Sequence, residues 1–166
     1  ENLFDYQGNY YAKFSKYIGG NGGLDVGDFD NDGLPDLLLH GSENLWLSKN
    51  LGDGFQAPTS STNTHNYLGS SQAEKLFNSS LKFGDLDLDG DLDIFWTGIK
   101  SSGSNEYITN KLLINNGQYL NDSQYDFEFD ETMVMPNTKN GDIAWGDIDL
   151  DGDLDIVSNN TNDEAF

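Results

Sequence analysis

The chain has 166 residues, a hydrophobic fraction of 36% and 10 Phe, 8 Tyr and 3 Trp, enough apolar material for a core and too much for wholesale disorder. Against 29 Asp and Glu stand 8 Lys and no Arg, and the resulting formal charge of −21 repels phosphate backbones and anionic lipid, so neither nucleic acid nor membrane insertion is expected. Cysteine is absent, which removes disulfides and thiolate metal sites, and no apolar run approaches the roughly 18 residues of a membrane span.

Residues 1–18 open with "NLFDYQGNY", in which Leu3, Gly8 and Tyr10 fall where Leu112, Gly117 and Tyr119 fall later in the chain. They are expected to form the closing hairpin of a preceding unit, so that the chain is a piece of a longer array. A first unit, 19–66, runs from the alternating strand "LDVGD" through the acidic stretch "DFDNDGLPD" to the apolar strand "LLLHG". It continues with "NLWLSKNLGDGF", a strand and an Asn/Gly turn, and polar residues 59–66 read as a surface loop. A second unit, 67–128, begins with "SSQAEKLFNSS" at 70–80, which predicts one or two helical turns at most. The order then repeats: "LKFGD", "DLDLDGDLD", "IFWTG" and "KLLINNGQYL" with another Asn/Gly turn, while the polar stretch 101–105, like 59–66, is expected to be a surface loop between units rather than a domain linker. A third unit, 129–166, supplies "IAWGD", "DIDLDGDLD" and "IVSNN" and has no counterpart of the closing hairpin, so it reads as incomplete. The first loop aspartates, Asp28, Asp85 and Asp147, lie 57 and then 62 residues apart, a period typical of arrays of supersecondary units.

Five aspartates in the nine residues 85–93 demand an explanation. Two carboxylates about 4 Å apart repel by roughly 4 kcal/mol at an effective dielectric near 20, so a positive partner is expected. Calcium takes six to eight oxygens at about 2.3–2.6 Å, and alternate residues of a tight loop can supply them. Positions one, three and five provide carboxylates: Asp28, Asp30 and Asp32; Asp85, Asp87 and Asp89; Asp147, Asp149 and Asp151. Glycine follows at position six, where a sharp turn is needed. Position seven (Leu34, Asp91, Asp153) would give its carbonyl, and the Asp91 and Asp153 side chains are expected to face water. Position nine (Asp36, Asp93, Asp155) would close the shell with one or both oxygens.

An EF-hand shares the start of this pattern but requires a bidentate glutamate at position twelve, where this chain has Leu39, Trp96 and Ser158. Magnesium prefers a smaller octahedral shell that retains several waters, and zinc lacks its usual ligands, since His40 and His65 are the only histidines. Solvated acidic hairpin tips explain one such cluster well, but three copies at one spacing favour up to three calcium ions, one per loop. Of the tryptophans, Trp145 stands in the pre-loop place of Val26 and Phe83 and is expected to pack between sheets, whereas Trp46 and Trp96 fit packing or ligand stacking equally.

These residues resemble the FG-GAP or VCBS-type repeats of the integrin alpha-subunit β-propeller and its bacterial relatives. The resemblance rests on "GDFDNDGLPDLLL", "GDLDLDGDLDIFW" and "GDIDLDGDLDIV", with "NLGDGF" and "NNGQYL" similar to the family's closing turn. It implies an all-β fold of propeller blades, each a four-stranded antiparallel sheet, usually seven in a ring, with calcium in a hairpin loop of several blades. At about 60 residues per unit the chain holds fewer than three blades, so the remaining blades or a partner chain are expected to complete it. Loops of this kind in extracellular modules bind calcium at about 10⁻⁴–10⁻³ M, which suits an extracellular or cell-surface location. The leading expectation for function is a non-catalytic module for adhesion or for protein or glycan recognition. A propeller or accessory domain of a secreted polysaccharide lyase or hydrolase, and an architectural segment of a large surface filament, remain open alternatives.

Overall fold

The structure, a computed structural model, describes residues 3–4, 10–11, 23–40, 45–55, 77–102, 104–121, 124–129 and 141–159. All regular structure among these residues is β, and every pairing is antiparallel. No helix long and apolar enough to cross a membrane occurs among them.

Strands β1 (Leu3–Phe4) and β2 (Tyr10–Tyr11) form a short ladder. β3 (Leu24–Gly27), β4 (Asp36–His40) and β5 (Leu45–Ser48) make a three-stranded sheet in chain order. β6 (Phe77–Gly84), β7 (Asp93–Ser102), β8 (Asn105–Asn121) and β9 (Gln124–Phe129) make a four-stranded one, and β10 (Ile143–Gly146) pairs with β11 (Asp155–Ser158). Each acidic stretch joins the first two strands of its sheet. The corner is closed by a repeated pair, Gly27 with Asp36, Gly84 with Asp93 and Gly146 with Asp155.

The sheets stack, and strand alternation decides what each face meets. In the middle sheet Leu81, Phe83, Ile94, Trp96, Leu113 and Phe127 turn toward the first sheet, where Phe29, Leu38, Leu45 and Leu47 complete a buried cluster. Phe95 and Leu112, the intervening residues, turn the other way and pack with Ile143, Trp145 and Ile156 of the third sheet. The unbroken apolar run Ile94-Phe95-Trp96 is therefore a strand covered on both faces. Side chains also bridge the stack: Phe83 N donates to Asp25 Oδ2 at 2.8 Å, Ser80 Oγ to Asp142 Oδ1 at 2.6 Å, and His40 Nδ1 lies 2.6 Å from Ser79 Oγ.

The interfaces mesh by a repeated device. A Cβ on Gly27 would stand 2.9 Å from the Phe83 ring and 2.6 Å from Leu92, and one on Gly84 would stand 3.1 Å from the Trp145 indole nitrogen. So the pre-loop aromatic of one sheet sits on the pre-loop glycine of the sheet before it. Among the described residues nothing lies within 4 Å of the equivalent point on Gly146. At the opposite end Val26, in the register place of Phe83 and Trp145, is 55% exposed beside Leu24 at 57%.

Three expectations need correction. Residues 77–80 belong to β6 rather than to a helical turn, because Leu81 and Phe83 extend an apolar alternation that the first sheet buries; residues 70–76 lie outside the described set. The polar stretch 101–105 is not a loop between units but a tight hairpin inside the middle sheet, with Ser102 paired to Asn105 and a β-prone Tyr-Ile-Thr run following. The Asn/Gly feature at 115–117 does not reverse the chain: β8 passes through it as an irregularity in register, with Gly117 at φ 63°. Residues 59–66 lie outside the described set.

Candidate metal centres

The three acidic stretches adopt one backbone conformation. Position four is left-handed in each, with Asn31 at φ 56°, Leu88 at 61° and Leu150 at 64°, and position six follows with Gly33 at 88°, Gly90 at 95° and Gly152 at 102°. An L side chain in this region costs about 1–2 kcal/mol, so two leucines held there mark a loop whose shape is imposed by its other contacts.

Those contacts are carboxylates accepting backbone N–H groups. Asp28 takes Asp32 N at 3.0 Å and Gly33 N at 2.8 Å, and Asp147 takes Asp151 N at 3.1 Å and Gly152 N at 3.2 Å. Asp85 takes Gly90 N at 3.1 Å through Oδ2, but its Oδ1 is buried without a hydrogen-bond partner. The position-three residues Asp30, Asp87 and Asp149 each accept from the amide two residues on, at 3.2–3.3 Å. Asp32, Asp89 and Asp151 do the same for Leu34, Asp91 and Asp153, at 2.9–3.1 Å.

Position nine works as an anchor. Asp36 accepts Phe29 N at 3.2 Å and Asn50 N at 2.7 Å; Asp93 accepts Leu86 N and Asn115 N, both at 2.8 Å; Asp155 accepts Ile148 N at 2.9 Å. Burial pushes the carboxyls of Asp36 and Asp93 up to about 6 each, against the opposing effect of those backbone donors. Two buried acids whose ionisation is opposed by burial and by neighbouring aspartates are groups that a nearby cation would relieve.

Carboxylate oxygens converge within 4.8 Å of one another in all three loops: Asp28, Asp30 and Asp32; Asp85, Asp87 and Asp93; Asp147, Asp149 and Asp155. Position one and position three thus join in every copy, with position five completing the trio in the first loop and position nine in the others. Such clusters could hold a metal ion, and the donor set is all hard oxygen. The buried, unpartnered Asp85 Oδ1 at the second cluster fits a cation, since leaving such an acceptor unmet costs about 1–3 kcal/mol or more. The flanks of all three clusters are strands, and Leu39 and Trp96 at position twelve are buried in the core, so an EF-hand is ruled out.

At position seven the side chains diverge. Asp153 is exposed as expected, but Asp91 does not turn to water: its Oδ1 accepts Asn31 Nδ2 at 2.6 Å, tying the first loop to the second. Burial and the charges of Asp89, Asp85 and Asp87 raise its carboxyl above the ordinary value, with Asn31 opposing. Leu34 is half-buried. Trp145 packs as predicted, edge-on to Phe95 with centroids 5.5 Å apart, and Trp96 is fully buried, which settles it as packing; the Trp46 side chain lies outside the described set.

The sequence reading missed the residues that hold the loops to the sheets. Asn50 and Asn115 each donate a backbone N–H to the position-nine carboxylate while their side-chain oxygens accept Gly52 N and Gly117 N. Asn115 also donates through Nδ2 to Phe29 O and Leu92 O. The Asn-x-Gly signal is legible as a turn in both copies, but it follows position nine by 14 residues in one and 22 in the other, and that unequal spacing hid its bond to the position-nine carboxylate. Lys49 was missed as well: its ammonium contacts Asp30 and lies 2.9 Å from Asp32 Oδ2. That hydrogen bond, with the Leu34 amide, holds the Asp32 carboxyl below its ordinary value.

A family model described as the FG-GAP-like repeat matches residues 28–96 and again residues 85–158. No curated protein and no solved structure matches the chain. The two matches overlap across the second loop and share the order found in space, a loop opening on aspartate between the first two strands of a sheet, then an apolar strand. With most of its length matched and its sheets stacked as blades, the chain belongs to the FG-GAP-like repeat family, whose repeats are propeller blades.

Proposed function

We propose that this chain is a calcium-stabilised segment of a β-propeller from a secreted or cell-surface protein, serving without catalysis in adhesion or in recognition of a protein or glycan. The observation that carries the reading is one aspartate loop, in one strained conformation, at three equivalent corners. Asp28, Asp30, Asp32 and Asp36, with the Leu34 carbonyl, would hold the first ion. Asp85, Asp87, Asp89 and Asp93, with the Asp91 carbonyl, would hold the second, and Asp147, Asp149, Asp151 and Asp155, with the Asp153 carbonyl, the third. Bound calcium supplies positive charge among carboxylates and fixes the corner. A shell filled by protein oxygens leaves no position for a substrate, which favours a structural ion over a catalytic one. The exposed Leu24 and Val26 at one end of the stack, and Val157 at the other, suit cover by further blades or by a partner chain.

Thermal melting in millimolar calcium and after chelation tests the reading. Each site contributes about 1.4 kcal/mol when calcium stands at ten times its dissociation constant, so chelation is expected to lower the melting temperature by several degrees. An unchanged temperature overturns the role of calcium. Turnover of a polysaccharide by the purified chain overturns the non-catalytic assignment.

A further inference from the structure

The three loops share a backbone but not what lies against it. Lys49 follows β5 directly, and its ammonium contacts the carboxylate of Asp30, whose side chain is wholly buried, and lies 2.9 Å from Asp32 Oδ2. The first loop thus already contains a cation, covalently attached. Asn50 and Asn115 make the same backbone bond to their position-nine aspartates, so the residue matching Lys49 in the second repeat is Ile114. Ile114 packs against the cluster of Phe95, Leu112 and Ile143 and brings no charge. Among the described residues no lysine pairs with an aspartate of the second or third loop. The second loop shows the complementary feature, the buried Asp85 Oδ1 that no donor meets. In the first loop the matching atom, Asp28 Oδ1, accepts Asp32 N at 3.0 Å.

We propose that Lys49 is a tethered cation that stands in for calcium in the first loop and competes with it, so that the second and third loops fill at lower calcium concentration than the first. The proposal rests on the calcium reading above. An ion entering the first loop must displace an ammonium held at high local concentration by its own chain, and it then sits beside that unit charge in a partly buried corner. The second loop presents no such competitor and an acceptor in need of a partner. Calcium dependence then becomes graded along the array: the first loop keeps its shape when calcium is scarce, while the others require it.

The amides of Gly33, Gly90 and Gly152, one in each loop, allow each site to be followed separately by NMR during a calcium titration of the intact chain. In the native chain the Gly90 and Gly152 signals are expected to move at a calcium concentration roughly ten-fold or more below that needed for Gly33. Lys49→Met is expected to bring the Gly33 midpoint down to the range of the other two, whereas Lys49→Arg, which keeps the charge, leaves it high. Unchanged Gly90 and Gly152 midpoints show that the variants are folded. Equal midpoints for all three glycines in the native chain, or a Gly33 midpoint unmoved in Lys49→Met, overturn the proposal and leave the calcium reading intact. Three signals that ignore calcium overturn that reading and this inference with it.

Discussion

Leu150 is 84% exposed and left-handed, so it contributes backbone strain with almost no burial in return. Asn31 holds the same place in the first loop, and asparagine tolerates that conformation. Leu150→Asn is therefore expected to stabilise the chain by about 0.5–1 kcal/mol in urea unfolding. A loss of stability would mean that the leucine is held by contacts rather than merely tolerated. Asp142 offers a test by titration. Its carboxylate accepts Ser80 Oγ at 2.6 Å, and that bond, aided by its own neighbour's amide and by Lys82, holds its carboxyl below the ordinary value. A lowered carboxyl stabilises the fold above its unfolded-state pKa of about 3.9, and the contribution disappears as pH falls through the folded value. Carboxyl NMR should find the Asp142 midpoint below the ordinary range, and Ser80→Ala should move it upward. The loop aspartates were legible in the sequence because their spacing repeats three times. Lys49 and Asn115 were not, since each reaches its partner through folding across many residues and neither recurs at a fixed distance from the loop.

The glycines that close β3 and β10 test how the sheets mesh. A methyl on Gly27 would enter the space of Phe83 and Leu92, and crowding of a packed interior costs about 1–3 kcal/mol. Gly27→Ala should lower stability by that amount in denaturant unfolding, while Gly146→Ala, with nothing within 4 Å among the described residues, should change it by less than about 0.5 kcal/mol. Equal losses would contradict the asymmetry of the two positions. Most strands could be read beforehand, because alternation before each loop and an apolar run after it are local signals. The errors fell where tertiary contacts overrode local composition. Residues 77–80 look weakly helical alone, yet the next four residues are bound into the middle sheet. The serines of 101–105 look like a loop between units until the strands on either side are found to pair.

For the molecule as a whole, charge dominates. A formal charge of −21 on 166 residues produces self-repulsion that three divalent ions, adding six positive charges, would reduce to −15 without abolishing. Raising ionic strength from about 0.01 to 0.15 M shortens the screening length from about 30 to 8 Å. The melting temperature of the chelated protein should accordingly rise with sodium chloride, and by less once calcium is present. A chelated protein indifferent to salt would show that its carboxylates are already neutralised within the fold.

The seating of Phe83 on Gly27 and of Trp145 on Gly84 carries an evolutionary corollary. The second and third repeats each carry both the aromatic tooth and a glycine notch, so the fit between these neighbours is encoded within the unit rather than in any particular pair. A gene of this kind can be lengthened or shortened by whole repeats through recombination, and each new junction inherits a working joint without compensating mutations elsewhere.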